Sequence, residues 1–150
     1  MNTEFSEISL KPIGIVRNHI KGPTREESSE VISEIIIDES LNEALDDLEQ
    51  FSHIIVLYWI HRSRRPAPLK VHPRGDPDRA ERGVFSTRSP SRPNPIGKAT
   101  VKLLERKGNI LEVRGLDAID GSPVLDIKPY IPGYDSVESD YRAPSWMVKK

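Results

Sequence analysis

Phe51–Ile60, FSHIIVLYWI, is the most hydrophobic stretch of the chain, rich in β-branched and aromatic residues. That composition suits a pleated, buried surface and reads as the central strand of a sheet. Just upstream, Ser40-Leu41-Asn42-Glu43 has the form of a capping box, Ser at the cap and Glu three residues on. It opens a short helix through Gln50, with Leu41, Leu45 and Leu48 on one face. Further out, Lys11–Asn18 (KPIGIVRN) and Glu30–Asp38 (EVISEIIID) read as strands, parted by the Gly-Pro break in Lys21–Arg25. Downstream, Ala99–Arg106 and Asn109–Gly115 form a hairpin turned at Lys107-Gly108-Asn109, and Val124–Tyr130 (VLDIKPY) is the last strand. Gly83–Thr87 supplies one more short strand. One short helix among about six strands argues for a mainly β fold, a barrel or compact sheet, and against a doubly wound α/β fold. No G-x-G-x-x-G and no P-loop lysine motif occurs, so any nucleotide-type ligand is held by something other than a Rossmann turn.

The chain has 150 residues, the size of a single domain, with a core over about 8–132 and a tail over 133–150. It contains no cysteine, which excludes disulfides, thiolate nucleophiles and Cys-based metal sites. The longest apolar run, Ile54–Ile60, is too short to span a bilayer. The acidic start MNTEFSEISL lacks the apolar core of a signal peptide, so a cytoplasmic protein is expected.

A net charge of −1 hides a marked asymmetry. Residues 1–60 carry 12 acidic and 4 basic side chains, whereas residues 61–98 carry 10 basic and 3 acidic. Residues 99–150 are balanced. A neutral protein with one basic segment concentrates its field there, and an anionic partner is expected. Within that segment, Arg62–Arg82 shows no periodicity and is broken by prolines and Gly75, so it reads as a long mobile loop. Its arginines could follow a phosphate backbone, but the aromatic interleaving of a single-strand stacking platform is missing.

The segment Gly83–Gly97, GVFSTRSPSRPNPIG, is the most unusual. Pro90, Pro93 and Pro95 stiffen a loop that bears Arg88, Arg92, Asn94 and several hydroxyls. Such a loop is a sensible cradle for carboxylate or phosphate, and its plainer reading is a stiff cover whose arginines satisfy backbone carbonyls. His61 ends the hydrophobic strand, where catalytic side chains often emerge, although a histidine satisfying a barrel rim is as good a reading. His19, His53, His61 and His72 lack metal-ligand spacing, so no metal is expected. Asp117, Asp120, Asp126 and Tyr130 gather around the Gly121-Ser122-Pro123 turn, where aspartates most often cap their own backbone.

GVFSTRSPSRPNPIG followed by LDAIDGSPVLDIKPYIP resembles the TsaA-like family, which includes the TrmO tRNA methyltransferases. KPIGIVRN, the Gly22–Arg25 turn and LEQFSHIIVLYWIHR at Leu48–Arg62 match in the same order, so the resemblance spans most of residues 11–132. It implies a small antiparallel β-barrel that binds S-adenosylmethionine without a Rossmann fold, as a homodimer. It also implies methyl transfer to N6 of threonylcarbamoyladenosine beside a tRNA anticodon. By matching motifs, the cofactor pocket falls on Pro23, Thr24 and Arg25, on His61 and Arg62, on Arg88 and Lys98, and on the turn Asp120, Gly121, Ser122 and Pro123. Substrate contacts are assigned to Arg64, Arg65, Arg74, Arg92 and Asn94, and His61 and Asp120 are the candidate catalytic groups. Thr24 is an extra residue in what is often Pro-Arg-Gln, Ser91 replaces a common aromatic, and Lys98 replaces a common apolar residue. The resemblance does not reach the C-terminal extension that helps bacterial members hold tRNA. A same-fold methyltransferase with another acceptor and a non-catalytic RNA- or ligand-binding module are the rival readings.

Overall fold

The computed structural model describes residues 6–22 and 28–147. Six strands close into an antiparallel barrel: β1 (Gly14–Arg17), β2 (Ile32–Ile37), β3 (His53–Trp59), and three later strands. In chain order β4 (Lys70–Val71) and β5 (Arg82–Gly83) come next and form a separate two-stranded sheet. β6 (Ile96–Lys107), β7 (Ile110–Arg114) and β8 (Pro123–Pro129) complete the barrel, whose order around the wall is β1-β2-β7-β6-β3-β8.

Alternation of side chains builds the core. Along β2, Ser33, Ile35 and Ile37 point inward, as do Ile54, Val56 and Tyr58 along β3, and Leu111 and Val113 along β7. All of these but Ser33 meet Val101 and Leu103 of β6 and Val124 of β8 in one apolar cluster. Period-two patterning of this kind fixes strand register, because a slip by one residue would turn the whole set outward.

The helical segment is present but wound as 3-10 turns, over Glu39–Leu45 and Leu48–Gln50. Asp38 rather than Ser40 caps it, accepting the Ser40 backbone N–H at 2.9 Å, and Ser40 donates its hydroxyl to the same oxygen. Asp47, with a backbone φ of +68°, breaks the winding before a regular α-turn can build. Arg106 then pins the segment to the hairpin by donating to the Leu45 carbonyl at 3.0 Å, beside Asp46 and Glu49.

Two further differences from the sequence reading bear on the site. β6 begins at Ile96, earlier than expected, because Ile96 pairs with Trp59 across the ladder to β3. The long basic loop is an organised arm. β4 and β5 pair within it, a 3-10 turn spans Pro73–Gly75, and His72 Nδ1 lies 2.6 Å from the Arg79 carbonyl. The tail returns to this arm, with the Arg82 guanidinium 4.9 Å from the centre of the Trp146 ring. Gly83–Thr87 is correspondingly only half strand, passing into a 3-10 turn at Val84–Ser86.

Candidate active site

Three stretches converge at the rim where β3 ends and β6 begins. The first is Ile60–Arg64, directly after β3. Ile60 donates its N–H to the Pro95 carbonyl at 2.7 Å, which anchors the strand end to the proline-rich loop. The second is that loop, residues 87–95. Prolines remove three of its backbone donors, and side chains replace the missing ladder. The Ser91 N–H donates to Ser89 Oγ, and Arg92 donates to the carbonyls of Thr87 and Ser89 at 3.1 and 3.2 Å. Arg65 adds a bond to the Pro93 carbonyl at 3.0 Å. The third stretch is the turn Ile119–Ser122, which is knitted to the end of β1. Asp120 N–H reaches the Ile20 carbonyl, Gly121 N–H reaches that of Val16, and Val16 N–H reaches that of Ser122. Gly121 has a φ of +83°, a conformation in which a side chain would be strained.

Between these stretches lies a cleft of about 890 Å³. Its floor is Tyr58 and Gly97, its apolar wall includes Ile20, Ile60 and Ile119, and its charged rim carries Arg62, Arg64, Arg88, Arg92 and Lys98. Of the residues assigned to the cofactor, Arg62, Arg88, Lys98 and Ser122 line it. Arg62 also donates to the Lys21 carbonyl at 2.6 Å. Arg88 is exposed and makes no hydrogen bond or ion pair among the described residues. His61 stands beside the wall, its Nδ1 3.4 Å from the buried Ser122 hydroxyl. Pro23, Thr24 and Arg25 lie outside the described residues.

Asp120 is engaged elsewhere. Its Oδ1 accepts the Asn18 N–H at 3.0 Å and its Oδ2 the Lys21 ammonium at 2.6 Å. The Lys21 hydrogen bond, seconded by the Asn18 N–H, holds the carboxyl below its usual value. Gly121 shapes the same turn and Pro123 starts β8, whose first pairs are with β1. Of the residues assigned to substrate, Arg64 and Arg92 line the cleft, Arg92 with one nitrogen committed to the loop. Arg65 lies over the Trp59 ring at 6.0 Å, and Arg74 and Asn94 are exposed on the arm and the loop.

The floor was not legible as a site in the sequence. Tyr58 is 6% exposed, and its hydroxyl donates to Asp117 Oδ1 at 2.6 Å. Gly97 is its partner across the ladder, and a Cβ there would run into the tyrosine ring. The one available signal was a tyrosine at an inward position of an apolar strand, since a buried phenol needs a partner. Burial, then the neighbouring Asp117 charge, raises the Tyr58 hydroxyl far above the ordinary tyrosine value. The native state therefore holds this proton after the unfolded chain has begun to lose it, so the pair's stabilisation is full below pH about 10 and declines as pH rises above that. In an alkaline titration followed by near-ultraviolet absorbance, one tyrosine ionises only as the protein unfolds, and Tyr58→Phe abolishes that late step. Ionisation of every tyrosine in the folded protein would contradict the geometry.

A closed antiparallel barrel with a cation-rimmed cleft, built without a Rossmann turn, defines the class: a β-barrel ligand-binding domain. The chain belongs to the tRNA-methyltransferase O N-terminal domain family, whose model matches residues 17–136. It is 53% identical over 135 residues to a probable S-adenosyl-L-methionine-binding protein of Methanothermobacter thermautotrophicus, covering 87% of this chain and 96% of that protein. It is 46% identical over 99 residues to the mouse tRNA (adenine(37)-N6)-methyltransferase, covering 64% of this chain and 22% of that enzyme. The crystal structure of TrmO from Pseudomonas aeruginosa superposes with a TM-score of 0.72 at 31% identity, covering 90% of this chain and 61% of that one. The chain thus spans less than two thirds of the solved TrmO chain. Among the described residues no helix is long and apolar enough to cross a membrane, and no group of three His, Cys, Asp or Glu could hold a metal.

Proposed function

We propose that this protein is an S-adenosylmethionine-dependent methyltransferase acting on N6 of threonylcarbamoyladenosine beside the anticodon of tRNA. The observation that carries the reading is the cleft itself, with Arg88, unpaired among the described residues, on its rim and buried Ser122 in its wall. Its volume lies within the range of roughly 300–1,000 Å³ usual for small-molecule sites. Its mixture of isoleucines, hydroxyls and cations suits a ligand with an apolar body and a carboxylate, so the residues present fit the cofactor.

When bound, the cofactor supplies a methyl group already activated on a sulfonium. What remains for the protein is alignment, and well-oriented proximity can be worth roughly 7–11 kcal/mol. Arg88 would hold the cofactor's carboxylate, a group its planar guanidinium suits. The Ile119–Ser122 turn and the proline-rich loop set the walls against which both reactants are placed. The acceptor nitrogen is amide-like, so removal of its proton aids attack. With both Asp120 oxygens tied to Asn18 and Lys21, the turn aspartate serves as a strut, and His61 is the proposed proton acceptor. Arg64 and Arg74 offer exposed charge for tRNA phosphates and Asn94 is exposed on the proline-rich loop, whereas Arg65 and Arg92 hold loop to arm and loop to itself. A cytoplasmic homodimer is part of the same proposal, the homodimer resting on the family resemblance.

Mass spectrometry of tRNA nucleosides from a strain lacking the gene tests the acceptor. The methylated threonylcarbamoyl nucleoside is expected to disappear and to return when the chain is restored. An unchanged nucleoside profile would remove tRNA as the acceptor and leave a same-fold methyltransferase with another substrate.

A further inference from the structure

We propose that Asp117, aimed by Tyr58, receives the positively charged pole of the cofactor. The proposal rests on the reading that the cleft binds S-adenosylmethionine. Every other charged residue lining the cleft is a cation, and Asp117 is the one carboxylate among the described lining residues. It nevertheless forms no ion pair with Arg62, Arg64, Arg88, Arg92 or Lys98, among the described residues. A carboxylate without a counter-ion among the described residues, in a cleft lined by five cations, is placed for a positive charge that arrives with the ligand. The cofactor carries two such charges, a sulfonium and an α-ammonium, beside one carboxylate. Arg88 answers the negative pole and Asp117 the positive.

The orientation of Asp117 is built from beneath. Tyr58 lies in the barrel interior, packed against the bare backbone of Gly97, so its ring has one place to be. Its hydroxyl donates to Oδ1, which leaves Oδ2 without a partner among the described residues. Burial keeps the phenol protonated and therefore a donor. Tyr58 is thus a positioning residue, acting on the ligand through Asp117. A surface aspartate without this support would spread its charge over several rotamers and lose entropy on binding.

Calorimetry on the folded protein decides the matter, using S-adenosylmethionine and S-adenosylhomocysteine, which keeps the ammonium but lacks the sulfonium charge. Asp117→Asn is expected to weaken S-adenosylmethionine binding about tenfold, the order expected for one charge-assisted contact. A loss confined to S-adenosylmethionine assigns Asp117 to the sulfonium, and an equal loss for both ligands assigns it to the ammonium. Should the Asn variant fail to fold, Tyr58→Phe keeps the ring and is expected to weaken binding severalfold in the same pattern. Unchanged affinity in a folded Asp117→Asn protein overturns this inference alone, whereas no binding by the unsubstituted protein overturns it together with the reading beneath it.

Discussion

Arg88→Ala lowers affinity for S-adenosylmethionine by about 10- to 100-fold, the range given by losing a charged hydrogen-bonded contact of roughly 1.5–3 kcal/mol. The guanidinium is exposed on the cleft rim and packs no core, so its truncation leaves the thermal midpoint in place. That separation matters, because a loss of affinity without a loss of stability assigns the effect to the ligand. Arg88→Lys keeps the charge but not the planar fork, and falls between the two. Calorimetry with the cofactor alone suffices. An unaltered dissociation constant in the alanine variant would remove Arg88 from the site.

Gly97→Ala is the second large effect. The new methyl meets the Tyr58 ring, which cannot retreat because it fills the barrel interior opposite. Overpacking of a fixed ring costs about 1–3 kcal/mol. At this chain length each kcal/mol lowers the melting temperature by roughly 2–4 °C. The displaced ring also drops its bond to Asp117, so affinity falls with stability. A smaller side chain at position 58 makes room, so Gly97→Ala costs much less in a Tyr58→Val background. Equal costs in both backgrounds would show that the ring and the glycine do not meet.

Much of the barrel was legible because each wall strand has one buried face, and alternation or apolar runs reveal it. Ile54, Val56 and Tyr58 show the pattern within β3, and Ile35 and Ile37 show it within β2. The early start of β6 was hidden because Pro93 and Pro95 mark a loop, while pairing with Trp59 extends the strand right up to them. The arm was hidden for a related reason. Its order comes from side chain-to-backbone bonds of His72, Asp76 and Arg65, which follow no period. In the cleft, Arg62, Arg88, Lys98 and Ser122 were legible through motif strings, and the structure brings them together. The Asp120 turn was correctly located, but its carboxylate faces Asn18 and Lys21, a pairing across a hundred residues that no local pattern encodes. Tyr58 and Gly97 were invisible as partners because register, not sequence spacing, sets them opposite one another.

The wall closes between β1 and β8 through only two residue pairs, Gly14 with Val124 and Ile15 with Pro123. Backbone bonds from Ile13 and Val16 flank this join, whereas β3 and β6 share seven pairs. Local opening is easiest where the fewest bonds must break, so this seam is where the barrel is expected to open first. The Asp120 corner is sewn onto it through Asn18 and Lys21. A guest seated against Ser122 would therefore bear on the seam, and its binding is expected to slow opening there.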